Sequence, residues 1–121
     1  MTLTKRSTKG SALTFTEMDD NLTHLDLYKS VQNISGPGAI STTTGGTLLT
    51  TTGTDAYTLA DGIEGQIKIL VMKVDGGNAT ITPDNLVGYT SIRFNNVHDN
   101  VQLLYGSTGW NIIALQNATK L

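Results

Sequence analysis

The sequence predicts a small, mainly β domain, an antiparallel β-sandwich of jelly-roll type, preceded by one N-terminal α-helix and an extended arm. Three observations lead there. Thr is the commonest residue, Gly occurs 13 times, and charged residues are only 15% of the 121. Thr, Gly and Asn punctuated by short Val/Ile/Leu runs is the usage of a β domain with many turns. One stretch near the start carries a helical period instead of strand alternation. The expected division is 1–12 as a basic arm, 13–30 as an amphipathic helix and 31–121 as the β-sandwich domain.

Residues 1–12 have no hydrophobic period and carry Lys5, Arg6 and Lys9 with no acid. No apolar core of a signal peptide follows them, and no run approaches the ~18 apolar residues of a membrane helix. No membrane association is expected, and synthesis in the cytoplasm is.

The helix is well signed. Thr14 and Glu17 make the T-x-x-E capping box, in which each side chain accepts from a backbone N–H at the helix start. Leu13 and Met18 have the spacing of a hydrophobic staple, and Glu17, Asp19 and Asp20 sit where the helix dipole favours negative charge. Phe15, Met18, Leu22 and Leu25 form one apolar stripe. A helix of roughly 14 residues is marginal alone in water, so this stripe must be buried against something. Its own β domain and a neighbouring copy or protein are both candidates.

From Val31 onward the helical period stops, and Ser35-Gly36-Pro37-Gly38 reads as a hinge between helix and body. Strands are expected at 39–43, 47–51, 56–59, 66–74, 79–82, 91–94, 101–105 and 111–115. Asp75-Gly76-Gly77-Asn78 tolerates positive φ and should close a hairpin between 66–74 and 79–82. Gly106-Ser107-Thr108-Gly109 should do the same for the last two of these strands, and 95–100 should hold another tight connection. In 66–74, Ile67, Ile69 and Val71 point to one face and Leu70, Met72 and Val74 to the other. A strand apolar on both faces is covered on both faces. One face is expected to be the sandwich interior and the other a subunit interface or a seat for the helix. Lys68 and Lys73 interrupt the run and argue against full burial. Trp110, beside the apolar Ile112-Ile113-Ala114-Leu115, is expected in the core or at the subunit interface.

At this length the chain is one domain with a short appendage, burying roughly two-thirds of its unfolded surface. Aromatics are only 6%, so Leu, Ile and Val must fill the core. A net charge of −2 leaves no electrostatic footprint for nucleic acid. The absence of cysteine removes disulfides, thiolate catalysis and Cys–zinc sites. His24 lies on the polar side of the helix. His98 beside Asp99 has the pairing of a base and its orienter, but no nucleophile accompanies it. Gly45-Gly46 and Gly76-Gly77 lack the Lys and helix of a phosphate cradle, and 61–64 lacks the order of a calcium loop. No enzyme, no metal and no cofactor is expected.

The stretch Lys9-Gly10-Ser11-Ala12-Leu13-Thr14-Phe15-Thr16-Glu17-Met18-Asp19-Asp20-Asn21-Leu22-Thr23-His24-Leu25 resembles a segment of phage tail-fibre and other virion proteins, with Leu22 where Phe is usual. Residues 51–68 are similar to β domains of phage virion proteins that close on G-x-W-x-(I/V), matched here by Gly109-Trp110-Asn111-Ile112. The resemblance implies a place on the virion. With neither shaft repeat nor receptor-binding tip, the parts suit a capsid decoration or cement subunit, trimeric, that docks on the major capsid protein through Lys5, Arg6 and Lys9. Its subunit contacts would be the helix stripe together with Ile67, Ile69, Val71 and Trp110. The rival readings are a tail or neck fibre adaptor and a host-glycan-binding module using Tyr57, Tyr89, Tyr105 or Trp110.

Overall fold

The helix begins where the capping pattern places it. The computed structural model describes residues 12, 14–19 and 30–121, and residues 15–19 are helical. The Thr14 N–H donates to Glu17 Oε1 at 3.0 Å, and the Glu17 N–H donates to Thr14 Oγ1 at 3.1 Å. Both halves of the capping box are therefore made. Lys5, Arg6, Lys9, Leu13, Leu22, His24 and Leu25 lie outside the described residues.

The body is a sandwich of ten strands: β1 Val31–Ser35, β2 Gly38–Ile40, β3 Gly46–Thr50, β4 Asp55–Leu59, β5 Ile67–Val74, β6 Ala79–Pro83, β7 Ile92–Phe94, β8 Asn100–Tyr105, β9 Trp110–Gln116 and β10 Thr119–Lys120. The first sheet runs β1-β3-β5-β8-β9 and the second β10-β7-β6-β4-β2. Strict alternation in β3, β4 and β6, and alternation over 100–103 in β8, turns one face of each inward. Leu49, Leu70, Met72, Val101 and Leu103 of the first sheet meet Tyr57, Leu59, Ile81, Ile92 and Phe94 of the second in one buried core.

The sandwich is mixed, not purely antiparallel. From β1 to β6 each strand passes to the opposite sheet, so the chain winds between the two sheets and every strand pairs with the next but one, in parallel. After β6 the pairing reverses: β7 lies antiparallel to β6, β8 to β5, β9 to β8 and β10 to β7. The Asp75–Asn78 turn consequently closes no hairpin. It is a corner carrying the chain from β5 in the first sheet to β6 in the second. The Gly106–Gly109 turn does close a hairpin, with the Gly106 N–H donating to the Gly109 carbonyl at 2.9 Å.

The Thr-rich corners stack on one another, which is why Gly76 and Gly77 stand there: a Cβ on either would run into the backbone of the 51–54 corner. Thr51 is the hub: its N–H donates to Val74 O at 3.1 Å, its hydroxyl donates to Gly77 O at 2.8 Å, and its Oγ1 accepts from the Gly76 N–H at 2.7 Å. The corner before it joins in through the Gly36 N–H, which donates to Thr50 O at 3.0 Å. Ser35-Gly36-Pro37-Gly38 is thus a corner between β1 and β2 inside the body, not a hinge ahead of it. Strands β1 and β10 were not expected from sequence. Each sits at a sheet edge and reads as polar or short.

Lys68 corrects another expectation. It is wholly buried, on the core side of β5, with Nζ donating to Thr44 O at 2.9 Å and to Thr44 Oγ1 at 2.6 Å. Burial pushes its pKa down to about 8. The unfolded chain keeps the usual 10.5, so between these values the unfolded state holds more protons and stability rises with pH. Below pH 8 the penalty is constant, because Lys68 is charged in both states. Tyr57 works the other way. Burial, then the Asp55 carboxylate, raises its pKa above 10.0, so the unfolded state ionises first and stability falls beyond that pH. Denaturant unfolding should therefore show a gain from pH 8 to pH 10, of the order of 1 kcal/mol after allowance for solvent screening, and a loss above it. Lys68→Met should abolish the gain and keep the loss.

The Tyr57 hydroxyl is buried and finds no hydrogen-bond partner among the described residues. A desolvated hydroxyl left unpaired costs about 1–3 kcal/mol. Tyr57→Phe keeps the ring and removes that cost, so it should raise stability by about 1 kcal/mol, read as a higher urea midpoint with an unchanged m-value.

Candidate functional site

Over β3 and β5 the outer face of the first sheet is apolar where an exposed sheet face would ordinarily be polar. Pairing register sets Val31 beside Gly46, Gly46 beside Ile69, Leu48 beside Val71 and Ile67 beside Leu104. Val31 is 56% exposed, Ile67 44% and Ile69 40%, while Leu48, Val71 and Leu104 are half-buried. Their neighbours in β5, namely Lys68, Leu70 and Met72, point into the core. The two-sided strand read from the sequence is therefore real over 67–72, whereas Val74, expected on the side of Leu70 and Met72, is exposed. One side is interior, and the other is open on the single chain.

Within this face lies a groove of about 480 Å³ walled by Val31, Leu48, Ile67, Ile69 and Val71, with Gly46 on its floor. The groove exists because Gly46 has no side chain. A Cβ there would have only Ile69 O at 3.7 Å and Val31 Cγ2 at 4.0 Å for neighbours. None of its lining residues is charged. Such a surface is suited to burial against another apolar surface and offers nothing to an ion. On the adjacent strand β8 the face turns polar, with Gln102 beside Ile69 and Asn100 beside Val71, and Asn100 Nδ2 donates to Gln116 Oε1 at 3.1 Å.

Of the expected interface residues, the structure brings Ile67, Ile69 and Val71 together on this face. It removes Trp110, which is fully buried in the chain's own core. The Trp110 indole N–H donates to Ala60 O at 3.0 Å, and Tyr105 meets its ring edge-on at 5.1 Å between centroids. Phe15 and Met18 are exposed on the helical segment. Val31, Gly46 and Leu48 belong to the site and were missed. The alternation in Gly46-Thr47-Leu48-Leu49, with Leu49 inward, was the signal that places Leu48 outward.

Other chemistry is sparse. The Asp99 carboxylate is buried and accepts from the Asn95 and Asn96 N–H groups at 2.8 and 3.0 Å, so it holds the turn and does not orient His98. Among the described residues no group of His, Asp and Glu converges as a metal site would require, and no helix is long and apolar enough to cross a membrane. A second depression, of about 510 Å³, lies over Pro83, Asp84, Asn85 and Tyr89. Its one aromatic, Tyr89, already carries Lys120 Nζ at 4.9 Å from the ring centroid. Tyr57 and Trp110 are buried, and Tyr105 packs on Trp110, so the glycan reading keeps only Tyr89 of its four aromatics. No protein-family model matches the chain, and no curated protein matches it.

Proposed function

We propose that this chain is a non-catalytic structural subunit of a phage particle, a capsid decoration subunit assembled in the host cytoplasm as a homotrimer. In this reading Lys5, Arg6 and Lys9 dock the arm on the major capsid protein, and the β body forms the projecting knob. The observation that carries it is the uncharged apolar groove in the outer face of the first sheet, centred on Ile67, Ile69 and Val71. A polypeptide of this size does not ordinarily leave a contiguous apolar face to water, and closed symmetric assemblies are the commonest way of covering one. The resemblance of residues 9–25 to virion segments gives the assembly its setting.

Two measurements test the proposal. Light scattering on the purified chain at micromolar concentration should give three times the chain mass, and a monomer defeats the trimer. A low-resolution density map of the particle should then show the protein in many copies over the head. A few copies at one vertex would replace this reading with that of a tail or neck adaptor.

A further inference from the structure

The single chain leaves two apolar surfaces uncovered at once. One is the groove over Gly46. The other is the start of the helix stripe, where Phe15 is 83% exposed and therefore not seated in its own chain's groove. In sequence the stripe continues to Leu22 and Leu25. The chain is next described at Ser30, and Ser30 and Val31 themselves help wall the groove. Stripe and groove are thus close neighbours in sequence, with only residues 26–29 between Leu25 and Ser30.

We infer that the groove over Gly46 is the seat for the helix stripe of a second copy of this chain, with Phe15 entering between Val31 and Ile69. Each copy gives its stripe to one neighbour and receives one from the other. A contact of this head-to-tail kind is closed by forming a ring, and three copies make the ring that the homotrimer reading requires, on which this inference rests. The fit is chemical as well as geometric: both surfaces are uncharged, and the depression left by Gly46 has space for an aromatic ring. The assignment also accounts for a capped helix start whose first stripe residue faces water on one molecule.

The chain has no cysteine, so disulfide trapping has a clean background. Phe15→Cys and Ile69→Cys are made in separate chains, mixed, refolded together and oxidised. A disulfide joining position 15 of one variant to position 69 of the other, identified by peptide mapping, is the expected result. In the doubly substituted chain the expected product is a covalent trimer. A cross-link confined to one chain overturns exchange between copies, and no 15–69 disulfide overturns the groove as the seat. Independently, Gly46→Leu should fill the groove and shift the assembly to monomer with an unchanged circular dichroism spectrum; a folded Gly46→Leu trimer overturns the inference. If the unsubstituted chain is itself a monomer by light scattering, the homotrimer reading has failed. A trimer without the disulfide removes the seat alone.

Discussion

Gly76→Ala should cost the body about 3–5 kcal/mol, a large effect for a single methyl group. The added Cβ would be driven into the Thr51 carbonyl, with the Thr51 carbonyl carbon at 2.9 Å and Thr52 Cα at 3.2 Å also in the way. These are backbone atoms of the adjacent corner, and no side-chain rotation relieves them. Moving the corners apart breaks the bonds Thr51 makes to Gly76 and Gly77, each contributing about 1 kcal/mol. Most small domains have a margin of only about 5–15 kcal/mol, so the variant should lose a large share of it. A melting temperature lowered by more than about 12 °C is the expected reading. Gly53→Ala is the control. A Cβ at Gly53 meets nothing within 4 Å, so the same chemical change in the same stack of corners should leave the melting temperature nearly where it was.

The second large effect falls on assembly rather than on folding. Ile69→Asp places a carboxylate at the centre of the apolar face, at a position 40% exposed on the single chain. The isolated body should tolerate it, since water still reaches the charge. Association should not, because an unpaired carboxylate buried at a contact costs several kcal/mol. A weakening of at least about a hundredfold per contact is expected, read by sedimentation as a mass falling to one chain over the micromolar range. Thr58→Asp puts the same charge on the exposed face of β4 in the opposite sheet. Its assembly should be unchanged. Equal loss with both substitutions would mean that net charge, and not this face, governs association.

What the sequence made legible follows from the range of the forces involved. The capping box of Thr14 and Glu17 is decided within four residues, and both of its bonds are present. The alternation of β5 is likewise local, and the side of the strand carrying Ile67, Ile69 and Val71 is the open one. The Gly106–Gly109 hairpin needs only its own loop. The Asp75–Asn78 turn looked the same on the page, yet its glycines answer to Thr51, some 25 residues earlier in the chain. Glycine chosen for close approach of two corners cannot be told from glycine chosen for positive φ without knowing what lies opposite. Lys68 misled for a related reason. A lysine in a strand normally marks the wet side, but here Thr44, far along the chain, supplies both acceptors. Trp110 lies in a strand apolar enough to suit either core or contact, and only the Ala60 carbonyl, fifty positions away, decides it.

The winding path from β1 to β6 also bears on how the molecule is made. Its parallel pairings join segments far apart in the chain, such as Val31 with Gly46 and Gly46 with Ile69. Chain entropy must be surrendered before any of those ladders returns free energy, which sets folding toward the slow end of the range for small proteins. The one tight antiparallel hairpin, β8 with β9, can form early and offers β8 as a template on which β5 can pair. On the ribosome that template emerges after the coils it would organise, leaving β1 and β3 to wait with their edges bare.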